Sequence, residues 1–506
     1  MSNKETCKGK IFLSILSSAQ FTLEGIRRIM KKTQEGKGKM AKQNKVKYRR
    51  ASRIRFCVGC ILVAISVVGL LVVGGHMIED RIVNENLNNP EQMQNQSKPT
   101  IPSSSITSEP PTPKPIIKTG TATIGATGDV LLHNKVIQSG YDAVADQYDY
   151  QSIFSVFSSF VSKVDYAVAN LEVTLCGDDN GYAYSGYPCF NAPDAIVDAL
   201  KSAGFDMLLT ANNHSFDTGS KGFFRTQEVL NNRGLEYIGT RPGQEDKNYI
   251  IKDVNGIKIG MINYTYNTGV NEDGSVSLNF IPVTTEASGL INTFNYQHLD
   301  DFYAKIGREL EEMKAQGAEA IMLYIHWGDE YSIKENATQR EMAQALCDLG
   351  IDVIVGNHAH VPQPVELLTN TQDANKKTLC LYSTGNSLSN IRRGPNYPAE
   401  TEDGMLFQVT FAKYSDGTVV LERAQVLPTW VNRYVQNGKS RFQILTMDGD
   451  NPADWQEKMD LTEELINLCQ ESFDRTMAIV GDGLKEANEY YGQHQKDVEN
   501  SIGVSK

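Results

Sequence analysis

Histidine is scarce in this chain, with eight among 506 residues, so the place of each one carries information. A Cys-x-x-Cys pair occurs only at Cys57 and Cys60, which denies the rest of the chain a thiolate zinc ribbon or a dithiol redox motif. No repeat period recurs, which excludes a solenoid. Charge is missing altogether from Phe56 to Gly75, FCVGCILVAISVVGLLVVGG, and a run with no polar face is not a surface helix.

That run is long enough to cross a membrane, since about 20 apolar residues at 1.5 Å rise reach across about 30 Å of hydrocarbon. A single transmembrane helix is expected over 56–78, acting as an uncleaved anchor. The flank Lys42 to Arg55 is strongly basic, whereas Glu79 and Asp80 follow on the far side. The positive-inside rule then gives a cytoplasmic N-terminal segment, 1–55, and an extracytoplasmic remainder. Met40 stands directly before the basic flank, where a start would also fit. The net charge of -12 is uneven: the first 55 residues hold 16 Lys or Arg against Glu5, Glu24 and Glu35. The acidic remainder gives no reason to expect a nucleic-acid partner. Residues 79–120, with EPPTPKPIIK, are too polar and proline-rich to bury a core and read as a disordered tether.

From Thr121 onward, short β-rich runs alternate with helical patterns, the texture of a layered α/β domain over 121–435. Helices are expected over Pro193 to Gly204, Phe223 to Asn232, Tyr303 to Gln316 and Gln339 to Leu349. Hairpins are expected to turn at Asn255-Gly256 and at Ser415-Asp416-Gly417. Residues 436–506 read as a helical C-terminal appendage. Cys176 and Cys189 bracket a polar loop that a disulfide would staple, although two free thiols fit equally.

Chemistry gathers where apolar runs end. Ile351 to Val355 leads into Gly356-Asn357-His358-Ala359-His360, and five of the eight histidines, His133, His214, His326, His358 and His360, follow an apolar run in this way. In open α/β sheets, ligands bind beyond the carboxyl ends of strands. Asp129 after Gly128, Asn170-Leu171-Glu172, Asn212-Asn213-His214 with Asp217, His326-Trp327-Gly328 with Glu330, Gln363, and Gly385-Asn386 occupy such ends. Each alone has a structural reading: Asp129 and Glu172 as caps, Asn213 as a turn residue, His326 as a core histidine. Together they are a mixed N/O donor set suited to Mn, Fe or Zn, and they exceed what one tetrahedral ion needs. One or two divalent ions are therefore expected, with a bridging carboxylate if two.

These motifs in this order resemble the poly-γ-glutamate capsule synthesis (CapA) family, whose domain is similar to the calcineurin-like metallophosphatases. The resemblance runs from Thr121 to Trp430 through Gly128-Asp129-Val130, Asn170-Leu171-Glu172, Asn212-Asn213-His214, His326-Trp327-Gly328, and Gly356, His358, His360, Gln363 and Pro364. It implies a four-layer αββα sandwich. It also implies that Asp129 and His360 bind a first metal, that Asn213, His326 and His358 bind a second, and that Glu172 bridges where an aspartate is usual. His214 would be a general acid. Leu131 stands where the metallophosphatase pattern has a histidine, with His133 two residues on, and Asn134 replaces an arginine common in relatives. His133, Asp217 and Gln363 are further candidates for ligands or their supports. Glu330 would shuttle protons or brace His326, and Arg392 and Arg393 would steer an anionic substrate. The expected function is synthesis, export or attachment of an anionic capsule polymer such as poly-γ-glutamate, beside other membrane-bound capsule proteins, with a hydrolase-type site for phosphoester or amide bonds. A general extracytoplasmic metallophosphoesterase and a metal-stabilised polymer-binding module are the competing readings.

Overall fold

Strand register and side-chain alternation explain how the sequence divides itself between two sheets. The first segment supplies β1 (Lys118–Val130), β2 (Tyr166–Leu171), β3 (Met207–Leu209) and β4 (Glu236–Ile238). The middle supplies β5 (Tyr249–Val254), β6 (Ile257–Tyr266), β7 (Thr293–Phe294), β8 (Ala320–His326), β9 (Val353–Asn357), β10 (Val365–Thr369) and β11 (Lys377–Leu381). The last segment returns with β12 (Asn386–Leu388), β13 (Asp403–Tyr414), β14 (Val419–Gln436) and β15 (Lys439–Thr446). The computed structural model describes residues 116–179 and 181–501, and all structural statements concern these.

The first sheet has the order β15-β14-β13-β1-β2-β3-β4, with β12 beside the end of β1. The second has the order β7-β6-β8-β9-β11-β10, with β5 paired to β6 through the hairpin expected at Asn255-Gly256. β1, β2, β3 and β4 run parallel, as do β6, β8, β9 and β11.

Alternate residues of a strand face opposite sides, so a strand covered on both sides must be apolar throughout. In β8, Met322 and Tyr324 join Ala122, Ile124 and Ala126 of β1 in a core between the sheets. Their neighbours Ile321, Leu323 and Ile325 pack instead on α3 (Leu299–Ala315) and α4 (Ala337–Asp348), through Ile306, Leu310, Met342 and Leu346. On the outer side of the first sheet, Leu208 meets Ile196 and Leu200 of α1 (Ala195–Ala203) and Leu230 of α2 (Gly219–Arg233). The result is helix, sheet, sheet, helix, the expected α/β layering.

Two boundaries differ from the sequence reading. β1 begins at Lys118, within the expected tether, because Lys118 pairs with Tyr414 and so extends the β13 hairpin. The expected appendage opens with β15, which continues the first sheet. Its signal was Asn437-Gly438, two left-handed residues that suit a tight hairpin turn, followed by buried Phe442 and Ile444. The following α5 (Glu463–Ser501) is integral to the domain, since Val480, Ala487 and Tyr491 complete the core between the sheets. A Cβ at Gly483 would lie 1.8 Å from the Val365 carbonyl oxygen, so glycine is what lets α5 approach β10. Arg475 grips buried Asp403 with two bonds of 2.7 Å, and Ser472 adds a third.

Cys176 and Cys189 are free thiols, the first buried and the second exposed, so no disulfide staples their loop. Among the described residues no helix is long and apolar enough to cross a membrane. The expected transmembrane helix over 56–78, the basic segment before it and residues 79–115 of the tether lie outside the described residues.

Candidate metal centre

Parallel strands bring their carboxyl ends to one edge, and both sheets deliver polar side chains there. Asp129 closes β1, Glu172 follows β2, Asn213 and His214 follow β3, His326 closes β8, and His358 and His360 follow β9. All seven are buried. Two sets have donor atoms within 4.8 Å of one another: Glu172, His326 and His358, and Asp129, Glu172 and His360. Glu172 belongs to both. Asn213 joins the first set, its Oδ1 lying 2.7 Å from His326 Nε2.

The loop after β9 turns both of its imidazoles to this centre at the expense of backbone strain. His358 and His360 hold φ values of 94° and 57°, a region that non-glycine residues rarely enter. The loop is pinned by the Tyr331 N–H donating to Ala359 O at 2.7 Å and by Asn386 Nδ2 donating to His360 O at 3.0 Å. Just upstream, a Cβ at Gly356 would meet the Tyr382 carbonyl at 1.9 Å, so the strand end accepts only glycine. Asn170 Nδ2 donates to Asp129 Oδ1 at 2.7 Å and aims that carboxylate. Asn213 Nδ2 donates to Asn279 Oδ1 at 3.1 Å, which turns the Asn213 oxygen toward His326.

The electrostatics fit a bound cation. Burial pushes the Glu172 carboxyl well above the usual range, and the neighbouring Asp129 charge adds to this. Burial pushes His326 down to about 3 and His358 far below its ordinary value, so both imidazoles are neutral, the form that ligates metal. Burial alone would raise Asp129, but the hydrogen bond and charge of His360 outweigh it and hold the carboxyl low. Asp129 raises His360 in turn against the effect of burial. Neither oxygen of Glu172 has a hydrogen-bond partner, nor has His358 Nδ1. A buried carboxylate left unpaired costs several kcal/mol, and a divalent ion among these donors would satisfy it, so the residues fit the expected metal.

His214 stands beside the donor sets. Its Nδ1 lies 2.7 Å from Asp217 Oδ2, which also accepts the Phe190 N–H at 2.6 Å. Asp217 is thus a support for His214. His214 lines a cleft of about 470 Å³ together with His133, Glu330, Tyr331 and His360.

The remaining candidates separate. His133 lies in the cleft wall, where Asn390 N donates to its Nδ1 at 3.3 Å, and it joins neither donor set. Gln363 is a strut: it accepts from Gln339 at 2.9 Å and donates to Ser332 O at 2.8 Å, tying two site loops to the start of α4. Glu330 lines the cleft, but the His326 ring is braced by Asn213 and Asn170. Arg393 turns away to Glu402 and Glu471, while Arg392 stays in the cleft wall. Asn279 was missed, because its polar stretch NEDGSVSLNF resembles any loop. Arg433 was missed as one more charge on a hairpin strand.

The sequence model described as bacterial capsule synthesis protein PGA_cap matches residues 123–391, more than half of the chain. The chain belongs to this family. Among curated relatives, the capsule biosynthesis protein CapA of Bacillus anthracis is 26% identical over 365 residues, covering 68% of this chain and 78% of that protein. The PGA biosynthesis protein CapA of Bacillus subtilis (strain 168) is 26% identical over 270 residues, 51% of this chain and 61% of that protein. Of solved structures, the NAD nucleotidase of Haemophilus influenzae aligns at 13% identity with a TM-score of 0.35, over 68% of this chain and 62% of its own.

Proposed function

We propose that the protein serves synthesis, export or attachment of an anionic capsule polymer of the poly-γ-glutamate type, through a metal-dependent hydrolase centre held outside the cell membrane. The observation that carries the metal-dependent part is Glu172, whose two buried oxygens lack partners between two donor sets. Family membership and the capsule proteins among the relatives support the polymer. The charge-free run Phe56 to Gly75 and its basic flank support the anchor and the orientation.

Asp129, Glu172 and His360 would hold one divalent ion, and Glu172, Asn213, His326 and His358 a second. Bound ions supply a polarised substrate oxygen and a water of lowered pKa. Asp217 accepts the Nδ1 proton of His214, which leaves Nε2 as the atom that gives a proton to a leaving oxygen or nitrogen. Glu330 lines the same cleft and would relay protons there.

Elemental analysis of the purified full chain tests the centre: one or two divalent ions per chain are expected, with Asp129→Ala and His358→Ala lowering the content. Active protein free of metal would overturn the reading. Turnover of a phosphodiester panel and of γ-linked glutamate oligomers by wild type and His214→Ala separates the two bond types. Equal behaviour of the two proteins on both would favour a binding module. Protease protection of residues 1–55 in intact cells, with digestion of the domain, is the outcome expected of the anchor.

A further inference from the structure

We propose that the cleft carries a second subsite, built around Arg433 with Arg392, that grips an oxyanion of the ligand away from the metal residues. This deepens the functional reading above and rests on it only for the group bound at the metal centre. The ligand is therefore an extended molecule bearing at least two anionic groups, carboxylate or phosphate, and not a lone small ester.

Three observations lead there. At about 470 Å³ the cleft is in the size range of sites that enclose a whole multi-group ligand. Its metal-side wall includes His214, Glu330 and His360, whereas Arg392 and Arg433 enter it from the loop after β12 and from β14. Contacts run from Arg433 Nη1 to Asn390 Oδ1 at 3.1 Å, from Asn390 N to His133 Nδ1 at 3.3 Å, then by ring contacts from His133 to Phe190 and on to His214. The arginines are thus separated from His214 by a wall of intervening side chains.

Next, the charges are poised for an anion. Among the described residues no carboxylate pairs with Arg433, whose Nη1 donates to the neutral Asn390. Arg392 donates Nη1 to Val431 O at 2.6 Å and reaches Glu402 only at 3.9 Å, while its Nε and Nη2 are buried without a partner. An arginine offers a planar fork that matches both oxygens of a carboxylate or phosphate. Among the described residues no carboxylate comes nearer than 3.9 Å to either guanidinium, so an anionic ligand entering the cleft would find both with charge to share.

Finally, the surface between the two ends suits a chain. Tyr331 and Tyr397 meet at 4.9 Å, and Tyr187, 71% exposed, lines the same cleft. Aromatic faces of this kind support the apolar stem of a ligand while its charged ends find the arginines and the metal residues.

The test is calorimetric titration of the metal-loaded full chain with γ-linked triglutamate and, separately, with tripolyphosphate. Wild type binds at least one of them. Arg433→Gln weakens that binding about tenfold or more, as expected for loss of a charge-assisted hydrogen bond. Arg433→Lys, which keeps the charge but loses the fork, falls between, and Arg423→Gln on the same strand binds as wild type does. Triglutamate with its side carboxylates amidated binds wild type and Arg433→Gln alike. The anion that shows the Arg433 dependence identifies the source. Equal affinity of Arg433→Gln and wild type for both anions, or no saturable binding of either by wild type, overturns the subsite. Metal content measured on the same samples reports on the metal centre separately: a metal-free protein that still shows the Arg433 dependence would sink that centre and leave the subsite standing.

Discussion

Replacing Glu172 by glutamine should raise the stability of the metal-free protein while abolishing its response to metal. Without a cation, both Glu172 oxygens are buried without a hydrogen bond, Oε1 lying 3.4 Å from His326 Nε2 and 3.9 Å from His360 Nε2, beside the Asp129 carboxylate. At neutral pH such a carboxyl costs several kcal/mol, either as a buried charge or as the proton uptake that neutralises it, whereas an unsatisfied neutral amide costs about 1–3 kcal/mol. The Glu172→Gln variant should therefore gain about 2 kcal/mol when metal-free. An unfolding entropy of about 2.1 cal/mol/K per residue gives about 0.8 kcal/mol/K for a domain of roughly 380 residues, so the gain is a Tm rise of about 2–3 °C. Metal at about 100 times its Kd stabilises the wild type by about 2.7 kcal/mol, or about 3 °C, and the variant by much less. The order of the two melting temperatures should be inverted by the ion. Differential scanning calorimetry after dialysis against EDTA, repeated with manganese, reads both halves. A variant that melts below wild type in EDTA, or equal gains for both proteins in manganese, would refute the reasoning.

Three further outcomes are expected. Asp217→Asn removes the carboxylate that orients His214 and secures the Phe190 N–H, so kcat on whichever bond type the enzyme cleaves should fall about 10²–10⁴-fold with metal content unchanged; an unaltered kcat would exclude the His214 role. Asp403→Asn breaks the buried pair with Arg475 and should cost about 3–5 kcal/mol in denaturant unfolding, with earlier proteolysis within α5; stability within 1 kcal/mol of wild type, roughly the scale of a surface pair, would make α5 an accessory. Asp352 has its carboxyl pushed up to about 6, mainly by burial, against an ordinary 3.8, so the folded state binds its proton more tightly than the unfolded chain does. Its contribution is present in full below pH 4 and lost as pH rises to 6, at most about 3 kcal/mol. Asp352→Asn keeps an oxygen for the Ile321 N–H, 2.7 Å away, and should flatten stability between pH 4 and 6; an unchanged slope there would show that Asp352 titrates normally.

Much of the site was legible because its signals are local. A strand covered on both faces must be apolar throughout, and the residue after it must be polar, so Asp129, Glu172, His326 and His358 announce themselves as ends of apolar runs. Hairpins declared themselves through Asn-Gly and Asp-Gly for a similar reason: two or three residues decide the turn. The same reasoning failed at β15, where Asn437-Gly438 was present but the polar residues around it outweighed it.

Long-range partners were decided by tertiary structure alone. Arg392 and Arg393 are neighbours with the same chemistry, and only the positions of Glu402 and Glu471 turn one of them away from the cleft while the other remains in its wall. Gln363 sits in the metal motif yet became a strut, because Gln339 at the start of α4 comes within 2.9 Å. Which oxygen or nitrogen Asn213 presents depends on Asn279, 66 residues away. The sequence by itself determined which residues would stand at strand ends, since burial of the strand before each one is a local requirement. Whether those ends would meet, with Glu172 between two donor sets and Arg433 in the same cleft, required two sheets to pack face to face, and that information is held in pairwise contacts that no stretch of sequence contains.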